Sequence, residues 1–138
     1  MSDNRLDGNE KIEEAAELLA KEPSDELLAH TLTLIRNRMK EGGEFIIGVE
    51  APDGSGQAKL SCIETADGKK WWVAFTSMDQ QLTGKSKVMS TFQTDIKQLL
   101  ERAIRVPEID GVIINPWDKT LRLSKPLISI TLGIPGTV

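Results

Sequence analysis

Apolar side chains in this chain change their spacing along its length, and the spacing sets the expected elements. From Asn9 the spacing is helical: Ile12, Ala15, Ala16 and Leu19 recur every three or four residues, with Asn9 able to cap the start and Pro23 to stop the run. A second helix is expected after Ser24, a natural N-cap, with Leu28, Leu32, Ile35 and Met39 on one face and Gly42-Gly43 as its end. From Glu44 the pattern becomes strand-like. Phe45, Ile47 and Val49 alternate with Ile46 and Gly48, and runs from Ala58 to Thr65 and Lys69 to Thr76 flank Ala66-Asp67-Gly68, a hairpin signal that predicts antiparallel pairing.

Polar residues 77–86 follow, with Met78 and Leu82 compatible with a turn of helix and Lys87 to Ser90 with a short strand. Phe92, Ile96, Leu99, Leu100, Ala103 and Ile104 then form a helical stripe, with Ser90 and Gln93 spaced as a capping box and Pro107 as the stop. Ile109 to Asn115 is a buried strand entered through Asp110-Gly111 and left through Asn115-Pro116-Trp117-Asp118. Leu121 and Leu123 mark a further strand. Ser124 and Pro126 predict a short helix over Leu127 to Leu132 ending at Gly133, although its β-branched residues also fit a strand.

These elements predict an α+β fold: one mixed, mainly antiparallel sheet of about five strands with packed helices. Residues 1–43 form a helical N-terminal region and 44–138 the α+β part, together one compact domain, as suits 138 residues. The stripe from Phe92 is long enough to act as a crossover, which would set the strand at Ile109 parallel to a neighbour.

Composition narrows the function classes. Residues 1–50 hold 12 acids against 6 Lys or Arg, whereas 51–138 hold 9 against 11, so no basic stripe of the kind nucleic acid needs is present. No nucleic-acid partner is expected. Cys62 is the only cysteine, which precludes an intrachain disulfide and suits a reducing compartment. The polar start Met1 to Asn9 and the lack of a long apolar run point to a cytoplasmic protein without a membrane partner.

Most chemistry-bearing residues have ordinary structural explanations. His30 lies on a helix with no second His to form a metal pair or a dyad, and Cys62 in its strand pattern is expected to be a buried packing residue without a base. Asp53, Asp67, Asp79 and Asp118 fall in turns, and Gly54-Ser55-Gly56 lacks the Lys-Ser/Thr of a phosphate loop. Asn115 and Pro116 suit a turn in which Asn closes an Asx ring with its own backbone. The tryptophans are less easily absorbed. Trp71 should share a core face with Val73 and Phe75, whereas Trp72, on the face of Lys70, Ala74 and Thr76, either lies under a helix or forms a contact platform. Trp117 at the turn tip is either packed or a contact residue.

The order of elements, with the strand end Val73-Ala74-Phe75-Thr76-Ser77 and the turn Gly111-Val112-Ile113-Ile114-Asn115-Pro116-Trp117 followed by Leu121-Arg122-Leu123, resembles the SseB N-terminal-domain family over about residues 44 to 132. The resemblance implies a bacterial, cytoplasmic α+β domain without established catalytic residues, and longer relatives carry an additional C-terminal domain. The expected function is therefore a non-enzymatic protein-interaction module that binds a protein partner or itself, with Trp117, Trp72 and Asp118 as binding candidates and no metal or cofactor. The alternative is a small-ligand-binding or enzymatic domain with a pocket near those same three residues.

Overall fold

A computed structural model describes residues 6–50, 59–77, 90–116 and 118–133. The expected turn at Ala51 to Gly56, the helical turn at Met78 and Leu82, the strand segment 87–89, the tail from Pro135, Asp53, Asp79 and Trp117 lie outside them.

Two helices open the fold, α1 (Glu10–Lys21) and α2 (Asp25–Lys40). Ser24 caps α2 as its sequence predicts, its Oγ accepting the Leu27 amide at 3.0 Å, and Gly42 ends it at φ 77°. Asn9 stands at the N-cap of α1 in helical geometry, and its side chain makes no capping bond. That side chain is used elsewhere.

The strands are β1 (Glu44–Glu50), β2 (Lys59–Leu60), β3 (Cys62–Glu64), β4 (Lys70–Phe75), β5 (Ser90–Asp95), β6 (Gly111–Ile114) and β7 (Leu121–Ser124), with α3 (Ile96–Ala103) and α4 (Lys125–Leu132) between and after them. Among the described residues all seven strands join one mixed sheet. β1 pairs antiparallel with β5 on one side and with β4 and β2 on the other, β4 runs parallel to β6, and β7 closes antiparallel on β6. The α+β class and the parallel placement of the Ile109 strand are as expected. The strand expected at Ala58 to Thr65 is broken at Ser61, whose amide donates to Gly48 O at 2.9 Å while its carbonyl accepts from Val73 N at 3.1 Å. The chain therefore runs down the side of β1 as β2, turns at Ser61, and returns along β4 as β3. The hairpin at Asp67 joins β3 and β4 antiparallel as predicted.

The stripe from Phe92 is corrected. Residues 90–95 form β5, and the helix begins only at Ile96, capped by Asp95, whose Oδ1 accepts the Gln98 amide at 3.0 Å. Ser90 and Gln93 form no capping box. Thr91, Phe92 and Thr94 favour extended backbone, and β1 offers them a continuous row of hydrogen-bonding partners. Phe92 matched the helical period by coincidence and is 49% exposed. The α4 helix matches its helical expectation, with Pro126 in its first turn and Gly133 as a left-handed cap.

Both sheet faces carry apolar clusters. On the helix side Phe45, Ile47, Ala74, Val112, Ile114, Leu121 and Leu123 meet Ile12, Leu32, Ile35, Ile96, Leu100 and Ile128, so α1 and α2 share this core with α3 and α4. Burying a side chain of this size contributes about 1.5–3 kcal/mol. The opposite face holds Ile46, Trp71, Val73, Phe75 and Ile113 with Leu6, which confirms the alternation expected for Trp71. Arg122 lies 5.8 Å over the Trp71 ring. Cys62 is exposed, contrary to expectation: Ile63, opposite Trp71, faces the smaller cluster, and alternation sets Cys62 opposite Trp72 on the other face, where its side chain is left uncovered. His30 is exposed on α2. Among the described residues no helix is long and apolar enough to cross a membrane.

Candidate functional site

The three residues singled out by sequence do not come together as one described site. Trp117 lies outside the described residues. Trp72 is half-buried, opposite Val112 in the body of the sheet, and packs against the helix-side cluster. Helix-side packing thus accounts for the ring. Asp118 is exposed beyond the C-terminal end of β6, its amide donating to Asn115 O at 3.3 Å.

Beside that turn is a polar cluster that sequence reasoning missed. Asn115, buried and at φ 53°, bonds across to the end of β4, while the amide that would close an Asx ring on its own turn, that of Trp117, lies outside the described residues. Its Oδ1 accepts the Thr76 amide at 3.0 Å and its Nδ2 donates to Thr76 Oγ1 at 2.9 Å. Thr76 Oγ1 donates in turn to Glu13 on α1, and Lys119 Nζ lies 4.0 Å from the other Glu13 oxygen. Asn9 Nδ2 donates to Glu44 O at 2.8 Å and to Thr76 O at 3.0 Å, while its Oδ1 accepts from Arg38 Nε at 3.0 Å. Gly43 leaves room for that guanidinium, since a Cβ there would stand 2.7 Å from Arg38 Nη2. The cluster ties α1 and the end of α2 to the ends of β1, β4 and β6. With Asn9, Thr76 and Asn115 buried and bonded to one another's segments, it is a structural joint. No local sequence signal links residues so far apart in the chain.

Two surfaces offer contacts outward. One is a groove between α2 and α4, with Leu28, Leu32 and Leu127 along it and Ile130 55% exposed. Arg36 at its rim is spent on the carbonyls of Ile130 and Thr131, at the C-terminal end of α4.

The other surface is the outer edge of β5. The Ile96 amide donates to Gly43 O at 3.1 Å, which makes Glu44–Asp95 a non-hydrogen-bonded pair. Alternation along the register then turns the N–H and C=O groups of Ser90, Phe92 and Thr94 toward β1, and those of Thr91 and Gln93 away from it. Among the described residues no strand pairs with this outer edge. Phe92 sits at its middle, opposite Ile47 and on the helix-side face, with half its surface exposed. The Gln93 side chain is turned back toward β1, donating to Glu44 Oε1 at 2.9 Å.

Among the described residues no group of three or more His, Cys, Asp or Glu side chains is placed to hold a metal ion. No family model, no curated protein and no solved structure matches this chain.

Proposed function

We propose that this chain is a protein-interaction module and that the outer edge of β5 is its contact surface. The observation that carries this reading is the run Thr91-Phe92-Gln93, whose outward strand-edge backbone groups, around an exposed phenylalanine, are paired by no strand among the described residues. Such an edge binds an extended chain by adding a strand to the sheet, with the backbone supplying affinity and the aromatic side chain supplying an anchor. The polar cluster around Asn115 supports the same reading, because its buried groups are engaged in holding the fold. The order of elements that resembles the SseB N-terminal-domain family also supports it, since that resemblance carries no catalytic residues. A bacterial, cytoplasmic setting belongs to the same proposal. Trp117 and Asp118 are a second contact candidate beyond the end of β6.

A photo-crosslinking side chain placed at position 92, compared with one at the exposed control His30, tests this in the native cell. The expected result is a discrete crosslinked protein species at position 92 alone, lost when Thr91→Pro removes an outward amide without touching the β1 pairing. Equal labelling at both positions would contradict the proposal. For the second candidate the crosslinking side chain is placed at position 118, where Trp117→Ala is expected to weaken crosslinking with the melting temperature nearly unchanged. A large fall in melting temperature with crosslinking unchanged would remove Trp117 from the contact.

A further inference from the structure

We infer that the chain occupying the β5 edge is a second copy of this protein, paired antiparallel, β5 to β5, across a two-fold axis at Phe92. The inference rests on the interaction reading above and names its partner. Three observations converge on a second copy. The first is hydrogen-bonding symmetry: with Phe92 on the axis, Thr91 of one copy stands opposite Gln93 of the other, and these are the residues whose backbone groups point outward. The two symmetry-related pairs exchange about four hydrogen bonds and leave none of those outward groups unmatched.

The second is the phenylalanine itself. Phe92 is then a non-hydrogen-bonded pair with its own copy, the position where facing side chains come closest, with Cα atoms about 4.5 Å apart. It lies on the helix-side face, so the two rings would extend the main apolar cluster of each copy across the join and cover surface that is now exposed.

The third is what the edge lacks. Natural edges resist self-pairing with lysine, proline or a bulge. The register from Glu44–Asp95 to Val49–Ser90 runs without a bulge, and Ser90 to Thr94 contains neither a charged residue nor a proline. Although the whole chain carries a net charge of −4, two copies meet over a neutral stretch. A contact of this size is weak and transient, with a dissociation constant on the order of tens to hundreds of micromolar.

Sedimentation equilibrium of the full chain over a concentration series, in reducing buffer because Cys62 is exposed, tests the inference. The wild type is expected to show a monomer–dimer equilibrium that Thr91→Pro shifts at least about tenfold toward monomer. A strictly monomeric wild type, or a dimer that Thr91→Pro leaves intact, would overturn the inference. The register is read by single cysteines in a Cys62→Ser background: Phe92→Cys should give a disulfide-linked dimer under mild oxidation, because Cα atoms about 4.5 Å apart allow it. Faster linking of Gln93→Cys would overturn the assignment of Phe92 to the axis. If the wild type is monomeric yet position 92 crosslinks to a different protein, the interaction reading stands and only the second copy fails.

Discussion

Asn115 and Thr76 hold each other twice, the Thr76 amide donating to Asn115 Oδ1 at 3.0 Å and Asn115 Nδ2 donating to Thr76 Oγ1 at 2.9 Å. The pair joins the ends of two parallel strands, and Asn115 adopts a left-handed φ of 53° to make it. Asn tolerates this conformation better than most residues. Asn115→Ala leaves a buried amide unpaired and adds backbone strain, and is expected to cost about 2–4 kcal/mol in urea denaturation. Asn115→Gly relieves the strain but not the lost bonds, so it should fall between Ala and wild type. A loss under about 1 kcal/mol for the alanine variant would show that the pair is not needed.

Gly111 begins β6 without a side chain because two neighbours fill the space. A Cβ there would lie 2.0 Å from Leu123 O and 2.9 Å from the Trp71 ring. Gly111→Ala must move the backbone of β7, and a destabilisation of about 3 kcal/mol or more is expected in the same denaturation measurement. Adding Trp71→Leu should not rescue it, since the nearer obstacle is a carbonyl. Recovery of wild-type stability in the double variant would assign the clash to the ring instead.

Ser129 is buried in α4, and among the described residues its hydroxyl has no hydrogen-bond partner. Burying an unpaired hydroxyl is unfavourable, so Ser129→Ala should leave stability unchanged or raise it by about 1 kcal/mol. A clear fall in the denaturation midpoint would show that the hydroxyl is engaged in solution.

Asp67 reports on the β3–β4 hairpin through pH. The Thr65 hydroxyl and then the Lys69 amide donate to its carboxylate, and they hold its pKa below the ordinary 3.8. A depressed carboxylate contributes stability that is fully present above the unfolded pKa and is lost as pH falls through the folded value. Chemical shifts of the Thr65 and Lys69 amides should therefore move together only below the ordinary carboxylate range, and Asp67→Asn should abolish that step. A midpoint at or above the ordinary carboxylate value would contradict the bonding seen in the turn.

Local chemistry made much of this fold legible. Ser24, Gly42 and Gly133 mark helix ends through caps that depend on one residue, and Asp67-Gly68 marks a hairpin through its turn geometry. Alternation placed Trp71 with Val73 and Phe75. What failed was decided at a distance. Residues 90–95 extend because β1 is there to pair with, which no spacing within them reveals, and that failure hid the β5 edge. The face that Cys62 takes is set by the register of β3 on β4, which puts Ile63 and not Cys62 opposite Trp71. Asn9 carried a capping signature, yet its side chain bonds to Glu44, Thr76 and Arg38 instead. Of the candidate site, the turn beyond β6 was marked by Asn115-Pro116, but the β5 edge was not marked at all.

Amide hydrogen exchange along β5 reads whether its outer edge is open, because adjacent residues of one strand serve as each other's controls. In dilute solution the Phe92 and Thr94 amides, turned toward β1, should be protected while those of Thr91 and Gln93 exchange freely. Raising the protein concentration should slow Thr91 and Gln93 specifically. Protection of Thr91 and Gln93 already complete in dilute solution, or unchanged at any concentration and with any bound protein, would contradict an open edge that serves as the contact surface.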